Sequence, residues 1–521
     1  MRDHVCFTSS TFRRHVEHTP CVLTRDNVVY SRSDYKRPSR EHMARKLGQR
    51  ESAADESEGM LHNWKPSGFL PALVGLALAL LPIGFTASAQ EAPAAPRPNI
   101  VVIFADDLGW GDLSSFGAEY IETPNIDSIA SDGLVMSQFY AGSNVCTPSR
   151  AALLTGRYAP RSGMQFVTRP NSDWGLPAEE ITIAEMLRDN GYATGMIGKW
   201  HLGHRIDHWP TQQGFESFLG VPYSNDMEPF SLYRGTDLVS FAIDQTTLED
   251  TYATEAERFI AAHAGEPFFL YYASNFPHRP LFFPPENRGR SGPAGDYGDT
   301  VETIDDSVGR IIAALDEHGL RDNTLVIFTS DNGPWFQGSS GPLRGRKGDT
   351  NEGGYRVPFL LRWPAAVAPG THNNGMSMAI DLLPSFARLA GAEIPQDRII
   401  DGRDVTAMWT EGAETPHEVL YFINNNGLAA VRSPRFKLQL SEYYRASLID
   451  FERFTAPKLF DMLADPQERY DVANRYAEEY ERLLALAHEM SAEIAPMAVD
   501  RGGIYPEDPN LPLGPQLEAD R

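Results

Sequence analysis

A single cysteine in the middle of the chain stands near the start of a predicted helix. The stretch SNVCTPSRAALLTGR (143–157) places Cys146 two residues before Pro148, which favours the first turn of a helix. The positive end of that helix would stabilise a thiolate or an anionic oxygen, and Arg150 follows one turn later. Because a lone cysteine is usually a small buried hydrophobic residue, this motif alone leaves both interpretations open.

Oxygen-bearing side chains follow two apolar stretches that we predict to be strands. Asp106 and Asp107 end NIVVIFADD, and Asp331 and Asn332 lie near the end of NTLVIFTSDNG. Three carboxylates at one point repel each other unless a cation or bound protons lie between them. A set of oxygen ligands suits Ca²⁺ or Mg²⁺ better than zinc. Either pair alone is also ordinary turn chemistry, since Asp and Asn favour turns.

Basic side chains and histidines follow two further apolar stretches. GKWHLGHRIDH supplies Lys199 and His201, with His204 and His208 beyond them, and NFPHRP supplies His278. The histidine spacing is similar to a metal motif, but no acid stands where a zinc protease has its base. We therefore expect His204 and His208 to be loop or pocket residues, and His278 by itself to be structural.

These candidate residues end four different predicted strands, and one site could gather them all. In parallel α/β sheets, ligands collect outside the carboxyl ends of the strands. A cysteine hydrolase would pair Cys146 with a histidine base, which leaves the acids unexplained. Since a hard metal ion is a poor partner for sulfur, an oxygen nucleophile on the metal would fit the acids better than a thiol.

The elements that must position these residues alternate between strand and helix. Continuously apolar strands are predicted at 99–107, 192–198, 267–274, 323–333 and 357–364. Helices are predicted at 123–133, 148–156, 182–191, 299–319 and 379–391. This alternation predicts an α/β domain whose large, mostly parallel sheet is covered by helices on both faces. Asp299, Glu302 and Asp306 share one face of their helix and are expected to be solvated.

After about residue 400 the pattern changes to antiparallel strands and turns. Segments 429–440 and 457–472 and a closing helix at 479–494 predict a smaller C-terminal α+β subdomain. We predict a catalytic domain at 99–400, this subdomain at 401–500 and a tail at 501–521.

The amino-terminal region predicts export. Segment 60–89 contains a ten-residue apolar core, too short to span a bilayer, and ends in ASA, as signal peptides do. Cleavage near Ala89 would give a periplasmic or secreted protein with no stable membrane span and with Cys146 as its only cysteine. Segment 1–59 would then be a non-native or disordered leader, and 90–98 a linker. The net charge of −24 argues against nucleic-acid binding.

The motif CTPSRAALLTGR resembles the signature of type I sulfatases, in which the cysteine is oxidised to formylglycine. The resemblance runs from about Asn99 to about Asn474 and is closest in look to the arylsulfatase A group. It includes FADDLGWGD, GKWHLG, QGFESFLGVPYSND, PFFLYYAS, LVIFTSDNG and NEGGYRVP. It implies an alkaline-phosphatase-like fold, sulfuric-ester hydrolysis on an aryl or carbohydrate substrate, Ca²⁺ in preference to Mg²⁺, and maturation by a formylglycine-generating enzyme.

The resemblance also implies a role for each matching residue. The metal ligands would be Asp106, Asp107, Asp331, Asn332 and the modified Cys146. Arg150 would hold the formylglycine, and His201 would form a hydrogen bond to its hydrate. The sulfate oxygens would be bound by Lys199, Lys347 and Ser224. His278 would protonate the leaving oxygen. In this mechanism one hydroxyl of the hydrate attacks sulfur and the second releases sulfate, a step that serine could not perform.

Three other functions remain open on the sequence. The same superfamily includes phosphonate and phosphate monoester hydrolases, which are the principal alternative. A non-catalytic binding protein would have lost site residues, and a zinc phosphatase would need further His and Asp ligands. Substrate specificity is expected to come from loops 158–178, 205–213, 226–250 and 335–345. Trp209, Trp335 and Phe336 in these loops are candidates for stacking on a sugar or aryl ring.

Overall fold

A computed structural model of the chain describes residues 97–425, 427–442 and 456–497. The predicted leader (1–59), signal peptide (60–89) and tail (501–521) lie outside these residues, as does most of the predicted linker. Within the described part of the chain, none of the helices combines the length and the apolar character that crossing a membrane requires.

The larger of the two described sheets is mostly parallel. Its ten strands are β1 (Asn99–Ala105), β2 (Leu134–Tyr140), β3 (Ala193–Lys199), β4 (Ser217–Val221), β5 (Leu232–Arg234), β6 (Asp237–Ser240), β7 (Phe268–Ala273), β8 (Thr324–Ser330), β9 (Phe359–Arg362) and β10 (Thr371–Met378). They lie in the order β10-β2-β9-β8-β1-β7-β3-β4-β5-β6. Only β5 and β9 run against their neighbours. The predicted α/β fold is therefore confirmed.

Helices cover both faces of this sheet. The described helices are α1 (Pro124–Ser131), α2 (Cys146–Thr155), α3 (Ile183–Asp189), α4 (Leu248–Ala262), α5 (Gly295–Glu317), α6 (Glu352–Tyr355), α7 (Leu382–Ala390), α8 (Thr406–Thr410) and α9 (Ala477–Ile494). Alternate residues of β1 belong to different cores: Phe104 packs in the core that includes α2, α3 and α7, and Ile103 in the core of α1, α4 and α5. Burial on both faces explains why the central strands are continuously apolar.

The smaller sheet is antiparallel, as predicted. It consists of β11 (Leu420–Asn424), β12 (Gly427–Arg432), β13 (Phe436–Gln439) and β14 (Lys458–Asp461), paired in chain order. Helix α9 packs Leu483 and Ala487 against Val431 and Leu438 of this sheet. The C-terminal α+β subdomain thus has a core of its own.

Helix α2 begins two residues earlier than the sequence predicts. Its first residue is Cys146 rather than Pro148, and Val145 precedes it in an extended conformation. Proline is compatible with the first turn because the N–H that it lacks would have no partner within the helix. Cys146 therefore lies on the N-terminal turn of α2 and not in a loop. The free backbone N–H groups of this turn lie close to its side chain.

The predicted solvated face of α5 is wrong for two of its three acids. Asp299 and Glu302 are buried, and only Asp306 is exposed. The Asp299 carboxylate accepts hydrogen bonds from the backbone N–H groups of Gly289 and Ser291, at 2.6 and 2.9 Å. Helical spacing correctly predicts that the three acids share a face. It does not predict that the loop containing Gly289 and Ser291 packs on this face.

Strand β3 approaches β7 closely at Gly198, just before Lys199. Gly198 has φ +106°, and a Cβ there would lie 1.9 Å from the carbonyl oxygen of Ala273. We expect Gly198→Ala to destabilise the fold by at least about 1–3 kcal/mol, because it adds backbone strain and this overlap. Thermal unfolding measures the effect. Gly265→Ala is the control, since its Cβ would meet nothing within 4 Å; equal midpoints for both variants would contradict the prediction.

Candidate active site

Four adjacent parallel strands end at one edge of the large sheet and bring the predicted residues together. Strands β8, β1, β7 and β3 are neighbours in that order. The chain beyond them supplies the two acid pairs, the Lys199 segment and the His278 segment that were singled out from the sequence. Cys146 joins them from the first turn of α2, and Lys347 from the loop before α6. The predicted gathering of residues from four strand ends is therefore confirmed.

The acids lie within reach of one cation. Ligand atoms of Asp106, Asp107, Cys146 and Asp331 all lie within 4.8 Å of one another, and all four residues are buried. Burial and the charge of Asp106 raise the pKa of Asp331 above its ordinary value. Burial also opposes ionisation of Asp106, but Lys199, His278 and Arg150 hold its pKa below the usual range.

Three cationic side chains face these three carboxyl groups. Lys199 Nζ contacts Asp106, and Lys347 Nζ contacts Asp107. Arg150 donates from Nε and Nη2 to Oδ2 of Asp331, at 3.1 and 2.9 Å. The opposite charges balance one another, so a divalent cation would leave two positive charges to offset an anionic ester or sulfate.

The donor set fits a hard divalent cation. Asn332 donates its side-chain Nδ2 to Asp107 Oδ1 at 2.8 Å, which fixes the direction of the amide. Its Oδ1 is buried and has no hydrogen-bond partner among the described residues. An orphaned amide oxygen beside three carboxyl groups is the kind of ligand that Ca²⁺ and Mg²⁺ take. The residues that would hold such an ion are Asp106, Asp107, Asp331 and Asn332.

The Cys146 thiol lies between the carboxyl group of Asp106 and the amino group of Lys347. Its Sγ donates to Asp106 Oδ1 at 3.5 Å and accepts from Lys347 Nζ at 3.2 Å. Burial raises the pKa of this thiol to about 12, although Lys199 and Lys347 act in the opposite direction. An unmodified thiol at this position would stay protonated at neutral pH and would be a poor nucleophile.

His201 has one ring nitrogen without a hydrogen-bond partner among the described residues. Its Nε2 lies 3.1 Å from the carbonyl oxygen of Thr168, which requires Nε2 to carry the proton. Nδ1 is then an acceptor, and it is buried without a partner among the residues described. Burial and Lys199 hold the pKa of His201 well below its ordinary value, so the ring is neutral. Thr168 was not predicted, because it lies in a loop without periodicity.

His278 lies at the outer side of the site, where its side chain is 13% exposed. Its Nε2 is 3.7 Å from Asp107 Oδ2, and its Nδ1 lies 3.4 Å from the Ser224 hydroxyl. Asn225 orients the ring, since its Oδ1 lies 3.0 Å from Nδ1 and its Nδ2 donates to the His278 carbonyl oxygen at 3.3 Å. The sequence reading did not identify Asn225, although it stands next to Ser224 in the PYSND motif.

Other predicted residues lie outside this constellation. His204 and His208 belong to none of the potential metal-binding groups found among the described residues, as expected of loop residues. Trp209, a candidate for stacking on a substrate ring, is buried instead, and its Nε1 donates to the His204 carbonyl oxygen at 2.6 Å, so it supports the loop. Phe336 is 50% exposed and stacks under Arg346, which leaves it accessible for such a role.

Comparison with known proteins gives consistent matches. A family model of sulfatases matches residues 98–392, and one described as the C-terminal part of N-sulphoglucosamine sulphohydrolase matches residues 349–496. Arylsulfatase A of Bos taurus is 38% identical over 429 residues, which cover 73% of this chain and 84% of the relative.

Solved structures share the fold. The PsFucS1 sulfatase from Pseudoalteromonas sp. matches with a TM-score of 0.71 at 29% identity, over 77% of this chain and 91% of that one. Ps i-CgsB, solved in complex with k-i-k-neocarrahexaose, matches with a TM-score of 0.69 at 30% identity, over 76% and 93% of the two chains.

Proposed function

The chain belongs to the sulfatase family and is a sulfuric ester hydrolase, and we propose that it releases sulfate through a formylglycine formed from Cys146. The observation that carries this proposal is the position of Cys146. It starts a helix at a point where three carboxyl groups and an orphaned amide oxygen converge. This arrangement suits an oxygen nucleophile next to a hard cation and suits a thiol poorly.

Two groups beyond the encoded side chains complete the proposed chemistry. A divalent cation, which we propose is Ca²⁺ in preference to Mg²⁺, supplies positive charge, and formylglycine supplies the oxygen nucleophile. The preference for Ca²⁺ follows the resemblance to type I sulfatases, and the oxygen ligands themselves suit either ion. Arg150 holds Asp331 in position and adds charge beside residue 146.

The lysines and Ser224 bind the sulfate group in this proposal. Lys199 Nζ donates to the Ser224 hydroxyl at 3.2 Å, so both polar groups face the same volume. Lys347 Nζ lies next to Sγ of Cys146, at 3.2 Å. Donors fixed in a dry site stabilise the charge that develops on sulfuryl oxygens without having to reorganise. In this proposal the neutral His201 accepts a hydrogen bond at Nδ1, which is buried and has no partner among the described residues, from a hydroxyl on residue 146.

His278 is the proposed general acid for the leaving oxygen. Nδ1 is occupied by Asn225 and by the Arg279 carbonyl oxygen, so the transferable proton is at Nε2. Burial and Lys347 lower the pKa of His278, whereas Asp107 and Asp106 raise it. A lower pKa makes the protonated ring a stronger acid, which suits a group that must release its proton to the leaving oxygen.

We expect His278→Gln to act selectively on poor leaving groups. The variant should lose about 10²–10⁴-fold in kcat on a sugar sulfate, whose alkoxide needs a proton, and less than about tenfold on nitrophenyl sulfate. Steady-state kinetics with both substrates give the ratio. His208→Gln is the control, because its Nδ1 contacts only the Leu176 carbonyl oxygen within the described structure. An equal loss on both substrates would contradict the role of His278 as an acid.

The proposed substrate is a sulfated saccharide or aryl sulfate. The oligosaccharide bound to Ps i-CgsB supports the saccharide, and the arylsulfatase relative supports the aryl ester. Export to the periplasm or medium after cleavage near Ala89, and maturation by a formylglycine-generating enzyme, complete the proposal. They rest on the sequence pattern of segment 60–89 and on the Cys146 motif.

The decisive experiment measures sulfate release from aryl sulfates and a panel of sulfated oligosaccharides, with phosphonate and phosphate monoesters in parallel. We expect sulfate esters to be hydrolysed with the higher kcat/KM and activity to depend on added Ca²⁺. Predominant turnover of phosphonate esters would instead favour the alternative hydrolase.

A further inference from the structure

A buried lysine of the C-terminal sheet reaches the loop that carries Lys347. Lys437, on β13, is fully buried. Its Nζ donates to the carbonyl oxygen of Thr350 at 2.9 Å and lies 2.8 Å from the Glu468 carboxylate and 3.3 Å from that of Glu352. Both carboxylates are also fully buried. One ammonium group of the small subdomain therefore holds three groups around this loop.

Glu468 fastens the same loop at two further points. Its Oε2 accepts from the backbone N–H of Glu352, the first residue of α6, at 2.8 Å. Its carbonyl oxygen accepts from Nη1 of Arg344 at 3.2 Å. Glu468 has φ +55°, a left-handed conformation that costs free energy for a residue with a side chain. The contacts lie on both sides of Lys347, so the C-terminal subdomain holds the loop at both ends.

The loop is also bonded to the segments that carry Cys146 and Asn332. The backbone N–H of Gly348 donates to the carbonyl oxygen of Asn144 at 2.9 Å. The N–H of Gly333, next to Asn332, donates to the carbonyl oxygen of Gly354 at 3.0 Å. A shift of the loop would thus move Lys347 relative to the residues that it contacts in the site.

Buried ion pairs of this kind contribute little net stability, because the desolvation of the charges offsets their attraction. They do fix geometry, since each carboxylate and ammonium group must keep its partners. We propose that Lys437 and Glu468 are positioning residues for Lys347, so that the C-terminal subdomain is part of the sulfate-binding machinery. The inference rests on the proposed role of Lys347 in binding sulfate oxygens.

A double-mutant cycle between Lys437 and Lys347 tests the inference. We expect Lys437→Met to lower kcat/KM for sulfate esters by about 10–100-fold, mainly through KM, as loss of an outer supporting contact does at comparable sites. Its dissociation constant for inorganic sulfate should rise by a similar factor in calorimetry. In a Lys347→Ala background the same change should have almost no further effect, because the group that it positions is gone.

Two further variants separate positioning from general destabilisation. Leu438→Ala creates a cavity in the subdomain core next to Lys437. It should lower the midpoint of thermal unfolding without changing kcat/KM. Glu468→Gln keeps an acceptor for the Glu352 N–H, and should fold and lose about three- to tenfold in kcat/KM, again only when Lys347 is present. Losses that multiply in the double variants, or sulfate binding by Lys437→Met equal to wild type, would overturn the inference. Wild-type protein that releases no sulfate from any ester would contradict the proposed function instead.

Discussion

Replacement of Cys146 by alanine is expected to lower kcat/KM for sulfate esters by about 10⁴–10⁶-fold, as loss of a nucleophile does in other hydrolases. The surrounding side chains would remain in place, because Sγ contributes only weak contacts to Asp106 and Lys347. Substrate binding should therefore change far less than turnover. Cys146→Ser should be similarly inactive over many turnovers, since serine has no second hydroxyl to release the product.

Peptide mass spectrometry across residues 143–157 supplies the matching chemical test. Active wild-type protein should carry an aldehyde at position 146 in place of the CH₂SH group, and the active fraction should follow the modified fraction. Fully active protein with an intact cysteine would refute the mechanism. Thr155→Ala is the matched control on the same helix, because within the described structure its hydroxyl donates only to the Ala151 carbonyl oxygen, a turn earlier in α2. Its kcat/KM should be unchanged.

Replacement of Asp331 by alanine is expected to lower kcat/KM by about 10³-fold or more. The side chain accepts two hydrogen bonds from Arg150 through Oδ2 and one from the Asp107 N–H through Oδ1, at 3.1 Å. Its loss removes one proposed metal ligand and both short hydrogen bonds of a fully buried guanidinium, whose remaining carboxylate neighbour, Asp106, lies 3.6 Å away. Calorimetric titration with Ca²⁺ should show weaker binding, and the unfolding temperature should fall.

Asp401→Ala controls for the loss of stability in this experiment. Asp401 pairs with the buried Arg161 at 2.8 Å, so its removal also breaks a buried arginine–aspartate pair. We expect a similar drop in the unfolding temperature, with kcat/KM and Ca²⁺ affinity unchanged at temperatures where the variant is folded. If Asp331→Ala bound Ca²⁺ as wild type does, the proposed ligand set would be wrong.

The central sheet could be predicted because its strands are buried on both faces. β1, β7 and β8 each contain a continuous apolar run (IVVIFA, FFLYYA and LVIF), which is the clearest strand signal that a sequence offers. The strands at one side of the sheet gave no such signal. The edge strand β10 reads THNNGMSM, with a bulge between Asn373 and Met376, and three of the seven residues of its neighbour β2 are only partly buried. Helix α4 was also missed, although its buried face includes Tyr252, Phe259 and Ile260.

The site was predictable where it follows the ends of the sheet strands or the start of helix α2. Asp106, Asp107, Asp331 and Asn332 stand directly after apolar strands, so their positions follow from the fold. Lys347 and Ser224 lie in loops without periodicity, and only the resemblance to sulfatases pointed to them. Asn225, Thr168 and Lys437 act on other site residues through contacts distant in sequence, which no local pattern encodes.

The position of Cys146 in the chain has a consequence for the time at which it can be modified. Strand β1 pairs with β7 and β8, and Lys347, which contacts Sγ, follows Cys146 by about 200 residues. At about 5–20 residues per second, a growing chain needs roughly 10–40 s to add them. During that interval the thiol cannot have its final surroundings. The proposed oxidation of Cys146 would therefore have access to the thiol during synthesis, before the sheet is complete and only 2% of the residue is exposed.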